Sequence, residues 1–203
     1  MHPGRAPKTL RLFLLALSFV AMAAASGCGP LPVKYFKPQA ASGKLFPMLH
    51  GDGSDFEPDH AYQLAAGGAK VGLEMDPRPD GNVLFVRVYV PPGSTAAFSG
   101  DAVQLAINGV DSRMKLPAFV SDQPRRRDVP PVAVSMGMNM SATAAGESGK
   151  AAAATWLMEL RIPGPDAAVY DLQLPELTVD NVAYPLPVVK FTATSGWGWF
   201  TAM

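Results

Sequence analysis

Cysteine is nearly missing from this chain: Cys28 is the only one in 203 residues, so no intramolecular disulfide can staple the fold. A folded part of roughly 150 residues does not need one, because it buries enough apolar surface in a single core. No apolar run is long enough to span a bilayer. The longest, Leu12 to Ala25, has 14 residues with Ser18 its only polar member, against the roughly 20 that a spanning helix requires. An excess of positive charge is also lacking. Residues 1–27 hold three basic residues, Arg5, Lys8 and Arg11, and no acidic ones, so the remainder carries 14 basic against 17 acidic residues, formally −3. That balance excludes the electrostatic footprint of a nucleic-acid binder. Motifs of catalysis are absent too: there is no Gly-x-Ser-x-Gly elbow, no phosphate-cradling glycine loop and no His-Glu-x-x-His. Only His50 and His60 follow residue 27, so a Ser-His-Asp arrangement would have to use one of them. The expectation is a non-enzyme without a cofactor, and a hydrolase with an unrecognised site is the third alternative.

What is present begins at the N-terminus. A basic start, a short apolar run and the small residues Ala25, Ser26 and Gly27 form the pattern of a secretory signal over residues 1–27. Cys28 follows at once. Ala25-Ser26-Gly27-Cys28 resembles the lipobox of bacterial lipoproteins, although Leu is commonest where Ala25 stands. The resemblance implies cleavage before Cys28, acylation of its sulfur with chains such as palmitate, and a further acyl chain on the new N-terminus. One chain of some 14 methylenes contributes roughly 11 kcal/mol before entropic costs, so two or three make release negligible. Gly29 stands where Asp favours inner-membrane retention in that family, which implies the outer membrane, facing the periplasm.

Residues 28–45 carry Pro30, Pro32, Pro38, Lys34 and Lys37, a composition expected to form a tether that holds the domain off the membrane. Behind an acidic segment from His50 to His60, expected to be a solvated loop, come short alternating runs bounded by Gly, Pro, Asn and Asp. They are Val71–Met75, Asn82–Val90, Val103–Ile107, Met114–Phe119, Val132–Met140, Thr155–Ile162, Tyr170–Leu174 and Val188–Thr194, with an Asn108-Gly109 turn signal after the third. About eight strands and no amphipathic helix predict an all-β antiparallel sandwich over residues 46–196. The spacing Asp166-x-Ala168-x-Tyr170-x-Leu172 after Pro163-Gly164-Pro165 resembles the tyrosine corner of immunoglobulin-like domains. That resemblance implies a tyrosine hydroxyl bonded back to backbone at the corner and a ring packed between the sheets.

Four features are candidates for contact or chemistry. Met136, Met138 and Met140 alternate along an expected strand, where thioethers about 6.7 Å apart would suit a soft ion such as Cu(I). They resemble the methionine-rich motifs of periplasmic copper-handling proteins, yet Val132 and Val134 continue the same face, as in a half-buried strand. The acidic loop does not reproduce calcium-loop spacing, and no four-ligand zinc set accompanies His50 and His60, so no metal is expected there. Arg125, Arg126 and Arg127, between Pro124 and Asp128, form a charge cluster suited to gripping a carboxylate or phosphate. Residues 197–203 form an aromatic tail in which Trp197, Trp199 and Phe200 either pack on the domain or dock on a partner or membrane.

Together these features lead to an expected lipoprotein anchored through acyl chains on Cys28, whose immunoglobulin-like sandwich serves binding or envelope assembly. Its expected partners are the membrane itself and an envelope protein or anionic lipid, with no nucleic acid. Copper handling through the methionine strand is the alternative.

Overall fold

A computed structural model describes residues 29–46, 60–121, 133–134, 139–141, 153–163 and 167–200. Among them there are sixteen strands and no helix. In chain order these are β1 (Gly29–Ala40), β2 (Lys44–Phe46), β3 (Ala61–Ala66), β4 (Ala69–Arg78), β5 (Gly81–Val90), β6 (Thr95–Phe98), β7 (Ala102–Ile107) and β8 (Val110–Lys115). There follow β9 (Phe119–Ser121), β10 (Ala133–Val134), β11 (Met140–Ser141), β12 (Ala154–Ile162), β13 (Val169–Gln173), β14 (Leu177–Val179), β15 (Val182–Tyr184) and β16 (Val189–Phe200). The molecule is an all-β antiparallel sandwich. One sheet has the order β1-β16-β13-β7-β8, the second β10-β9-β12-β5-β4-β3-β2, and a small third, β11-β6-β14-β15, contributes to the same core.

Alternation builds the second sheet. Leu84, Val86 and Val88 of β5 are opposite Met75, Leu73 and Val71 of β4 and opposite Leu160, Met158 and Trp156 of β12, and all nine are buried. Cross-strand rows of this kind lock the register, since a slip by one residue would expose the whole set. The facing sheet supplies Leu105, Leu172 and Val189 as one row and Tyr170 with Phe191 as the next. Phe36 from β1 meets Tyr170 edge-on at 5.4 Å between ring centroids. Phe98 of the third sheet stacks on Phe119 at 5.6 Å, which ties β6 to β9.

The Asn108-Gly109 signal makes the expected hairpin. Both residues have positive φ, 48° and 83°, the requirement of the two-residue turn that matches strand twist, and β7 and β8 pair on either side. The Asn108 side-chain oxygen also accepts the Val169 N–H at 3.1 Å, fastening the turn to β13.

Four segments differ from expectation. Residues 29–40, which the composition predicts to be a tether, form one strand paired with β16 over its whole length. β1 is an edge strand, and Pro30, Pro32 and Pro38 have one parity, so the missing donors fall on the side of the strand turned away from its neighbour. Residues 197–200, which the composition predicts to be part of a tail, are the end of β16. The run Met114–Phe119 is broken: β8 ends at Lys115 and β9 begins at Phe119 in the other sheet, with Pro117, which has no N–H, between them. Finally, Val132–Met140 is not one strand. Ala133–Val134 pairs with β9 in the second sheet, whereas Met140–Ser141 pairs with β6 in the third.

Candidate functional site

The tyrosine corner lies where the two large sheets meet. Tyr170 is 1% exposed, and its hydroxyl accepts the backbone N–H of Ala167 at 3.2 Å, the local bond that the corner spacing implies. The same oxygen accepts from the Asn82 amide nitrogen at 2.6 Å. Asn82 is on β5 and Tyr170 on β13, so this buried contact joins one sheet to the other. Nothing in the alternation of β5 singled out Asn82, because it precedes the apolar positions of the strand.

The longest pairing among the described residues is β1 with β16, matched over twelve positions from Gly29↔Phe200 to Ala40↔Val189. Its two halves differ. Near Ala40 the pair belongs to the sandwich: Phe36, Val189 and Phe191 are buried, and β13 pairs with β16 from Val189 to Thr192. A last backbone bond, from the Ala193 N–H to the Ala168 carbonyl, closes that contact. Beyond it, among the described residues, β16 has only β1 beside it, and the two strands run out as a ribbon to Gly29 and Phe200. From Lys34 to Gly29 the ribbon is about 17 Å long at the antiparallel rise.

A cleft of about 380 Å³ lies at the neck of this ribbon, lined by Lys34, Tyr35, Pro77, Ala168, Thr194 and Ser195 among others. Close by is a cluster of polar side chains. His60 Nε2 is 3.2 Å from Glu74 Oε1, with His60 8% and Glu74 1% exposed, and the His60 ring centroid is 6.4 Å from that of Tyr35. On the same strand as Glu74, Asp76 pairs with Arg78 at 2.6 Å. Burial raises the Asp76 pKa above its ordinary value, and the Glu74 carboxylate adds to this, while Arg78 and His60 oppose it. Alternation placed Glu74 on the polar face of its strand, but Ala61, Gln63 and Phe85 on that face are buried too, so β3 to β5 are covered on both sides.

Of the residues singled out from sequence, Trp197 and Trp199 are on β16, in register with Pro32 and Pro30. Met140 is a core side chain, 2% exposed. His60 ends the acidic segment and is buried rather than solvated. Cys28 with Ala25, Ser26 and Gly27, the cluster Arg125, Arg126 and Arg127, Met136 and Met138, and His50 with the acidic residues to Asp59 lie outside the described residues. Among the described residues no three His, Cys, Asp or Glu side chains are grouped to hold a metal ion, and no helix is long and apolar enough to cross a membrane. No protein-family model, curated protein or solved structure matches the chain.

Proposed function

We propose that this protein is a bacterial envelope lipoprotein, held through acyl chains on Cys28 at the periplasmic face of the outer membrane, whose sandwich is a non-catalytic binding or assembly module. The sequence Ala25-Ser26-Gly27-Cys28 supports the anchor. The observation that carries the module reading is the course of β1: the strand starts at Gly29, the residue after Cys28, and reaches the core at Phe36. An enzyme acting on soluble substrate gains nothing from such coupling, whereas a module that meets a partner at the membrane gains a defined position. The buried polar groups support the same view. His60 faces Glu74, and Tyr170 faces Asn82 and the Ala167 backbone, so each has a structural partner.

Replacing Cys28 with Ala tests the anchor: the variant is expected in the soluble periplasmic fraction, and retention in the outer membrane at the wild-type level would refute it. Native mass spectrometry of the full-length protein, extracted from its own membrane in mild detergent, tests the module. An acylated species carrying a subunit-sized additional mass is the expected result. A copper adduct would shift the assignment to the methionine segment, for which Met140, a core residue, offers no support.

A further inference from the structure

We infer that the outer end of the β1–β16 ribbon is a second membrane contact, in which Trp197, Trp199 and Phe200 enter the lipid headgroup zone beside the acylated cysteine. This rests on the lipid-anchor reading of Cys28. Pairing places the two ends together: Gly29 is opposite Phe200, Pro30 opposite Trp199 and Pro32 opposite Trp197. A chain held by acyl groups on residue 28 therefore brings the last aromatic residues of β16 to the bilayer surface with it. The anchor and the aromatic segment are about 170 residues apart in sequence, and only strand pairing joins them.

The chemistry of the segment suits that location. Tryptophan concentrates at membrane interfaces because its ring is apolar and its N–H polar, and three large aromatics within four residues are a concentrated form of such a belt. Trp197 and Trp199 occupy alternate register positions of β16, opposite Pro32 and Pro30. From Trp197 to Phe200 the strand rises about 10 Å, comparable with the 5–10 Å to which interfacial segments enter. Charge agrees as well. β1 and β16 contain Lys34, Lys37 and Lys190 and no acidic residue, so neither strand opposes an anionic lipid surface. Acyl chains alone fix a point about which the domain swivels. A second contact made by a paired strand fixes a direction, and the sandwich is then held off the bilayer by the length of the ribbon.

The test uses the full-length acylated protein reconstituted into vesicles of phosphatidylcholine with a minority of phosphatidylglycerol, the lipids brominated high in their acyl chains. Two of the three tryptophans are in the ribbon, while Trp156 is a core residue, 4% exposed, and serves as the internal control. Fluorescence is expected to fall by roughly half relative to unbrominated vesicles, and the double variant W197F/W199F, which keeps aromatic strand formers at both positions, is expected to lose that quenching. The mass of the N-terminal peptide is measured on the same sample. Acylated, vesicle-bound protein without quenching would overturn the second contact and leave the anchor standing, with the aromatic end assigned to the domain or to a protein partner. A peptide without acyl mass would overturn the anchor, and the inference with it.

Discussion

Replacing Tyr170 with Phe removes one oxygen and leaves the ring in place, so it isolates what the corner hydroxyl contributes. The edge-on contact with Phe36 survives, since it involves only the rings. Two buried donors lose their acceptor: the Ala167 N–H at 3.2 Å and the Asn82 amide at 2.6 Å. The second loss is aggravated because the Asn82 side-chain oxygen already has no partner. That 2.6 Å separation is short for N–H···O and ordinary for O–H···O, and with the amide turned the hydroxyl would donate to the oxygen instead; in both orientations Asn82 depends on Tyr170. An orphaned buried polar group costs about 1–3 kcal/mol, so two of them give a loss of roughly 2–6 kcal/mol. For a domain of this size each kcal/mol moves Tm by about 2–4 °C, which predicts a decrease of roughly 4–24 °C. Thermal and urea unfolding of the wild-type and Y170F proteins in the same detergent would measure it. The variant Y170F/N82L, which also removes the orphaned amide, is expected to fall short of additivity by about 1–3 kcal/mol. A loss below about 0.5 kcal/mol for Y170F would refute the corner as an inter-sheet fastening.

Other perturbations separate core, turn and charge. Leu73→Ala, at a position with no exposure between Tyr62 of β3 and Val86 of β5, is expected to cost about 2–5 kcal/mol in urea unfolding, whereas Val182→Ala on exposed β15 stays within about 0.5 kcal/mol. Asp180, in the turn between β14 and β15, accepts the Thr95 N–H at 2.8 Å, and this bond with that of Ser94 holds its carboxyl below the ordinary range. Its stabilisation is present above the pKa of the unfolded carboxyl and is lost as pH falls through the lower folded value. Asp180→Asn tolerates the φ of 49° and is therefore expected to differ from wild type near neutral pH and to converge with it in acid. Asp76 has the opposite sign. Its raised folded pKa means that the native state takes up the proton first, so stability rises as pH falls through that value. Asp76→Asn is expected to stabilise the protein near neutral pH, with the gain shrinking on acidification; a variant less stable at neutral pH would show that the Arg78 pair outweighs burial.

Legibility from sequence followed the range of the forces. β5 and β12 were readable because one face of each meets the core along its whole length, and the apolar residues recur at every second position. The Asn108-Gly109 turn was readable because its backbone preference is local. Tyr170 was readable because the corner bond spans three residues. Glu74 was not, since alternation distinguishes the two faces of a strand but does not say whether the polar face is covered. The segment Val132–Met140 looked continuous, yet its described ends pair in different sheets, and nothing within nine residues records that change of neighbour.

The alternating strands and the Asn108-Gly109 turn are legible in the amino-acid sequence alone, because each depends on groups close together along the chain. Residues 29–40 show where that information ended. Three prolines and two lysines resemble a linker until β16 supplies a partner whose donors and acceptors match the odd-numbered positions of the edge strand. Pairing between residues some 170 positions apart is a tertiary event, favourable only once the core has brought both strands together. It is this event, and not the composition of either segment, that sets Trp197, Trp199 and Phe200 of β16 opposite Pro32, Pro30 and Gly29 of β1.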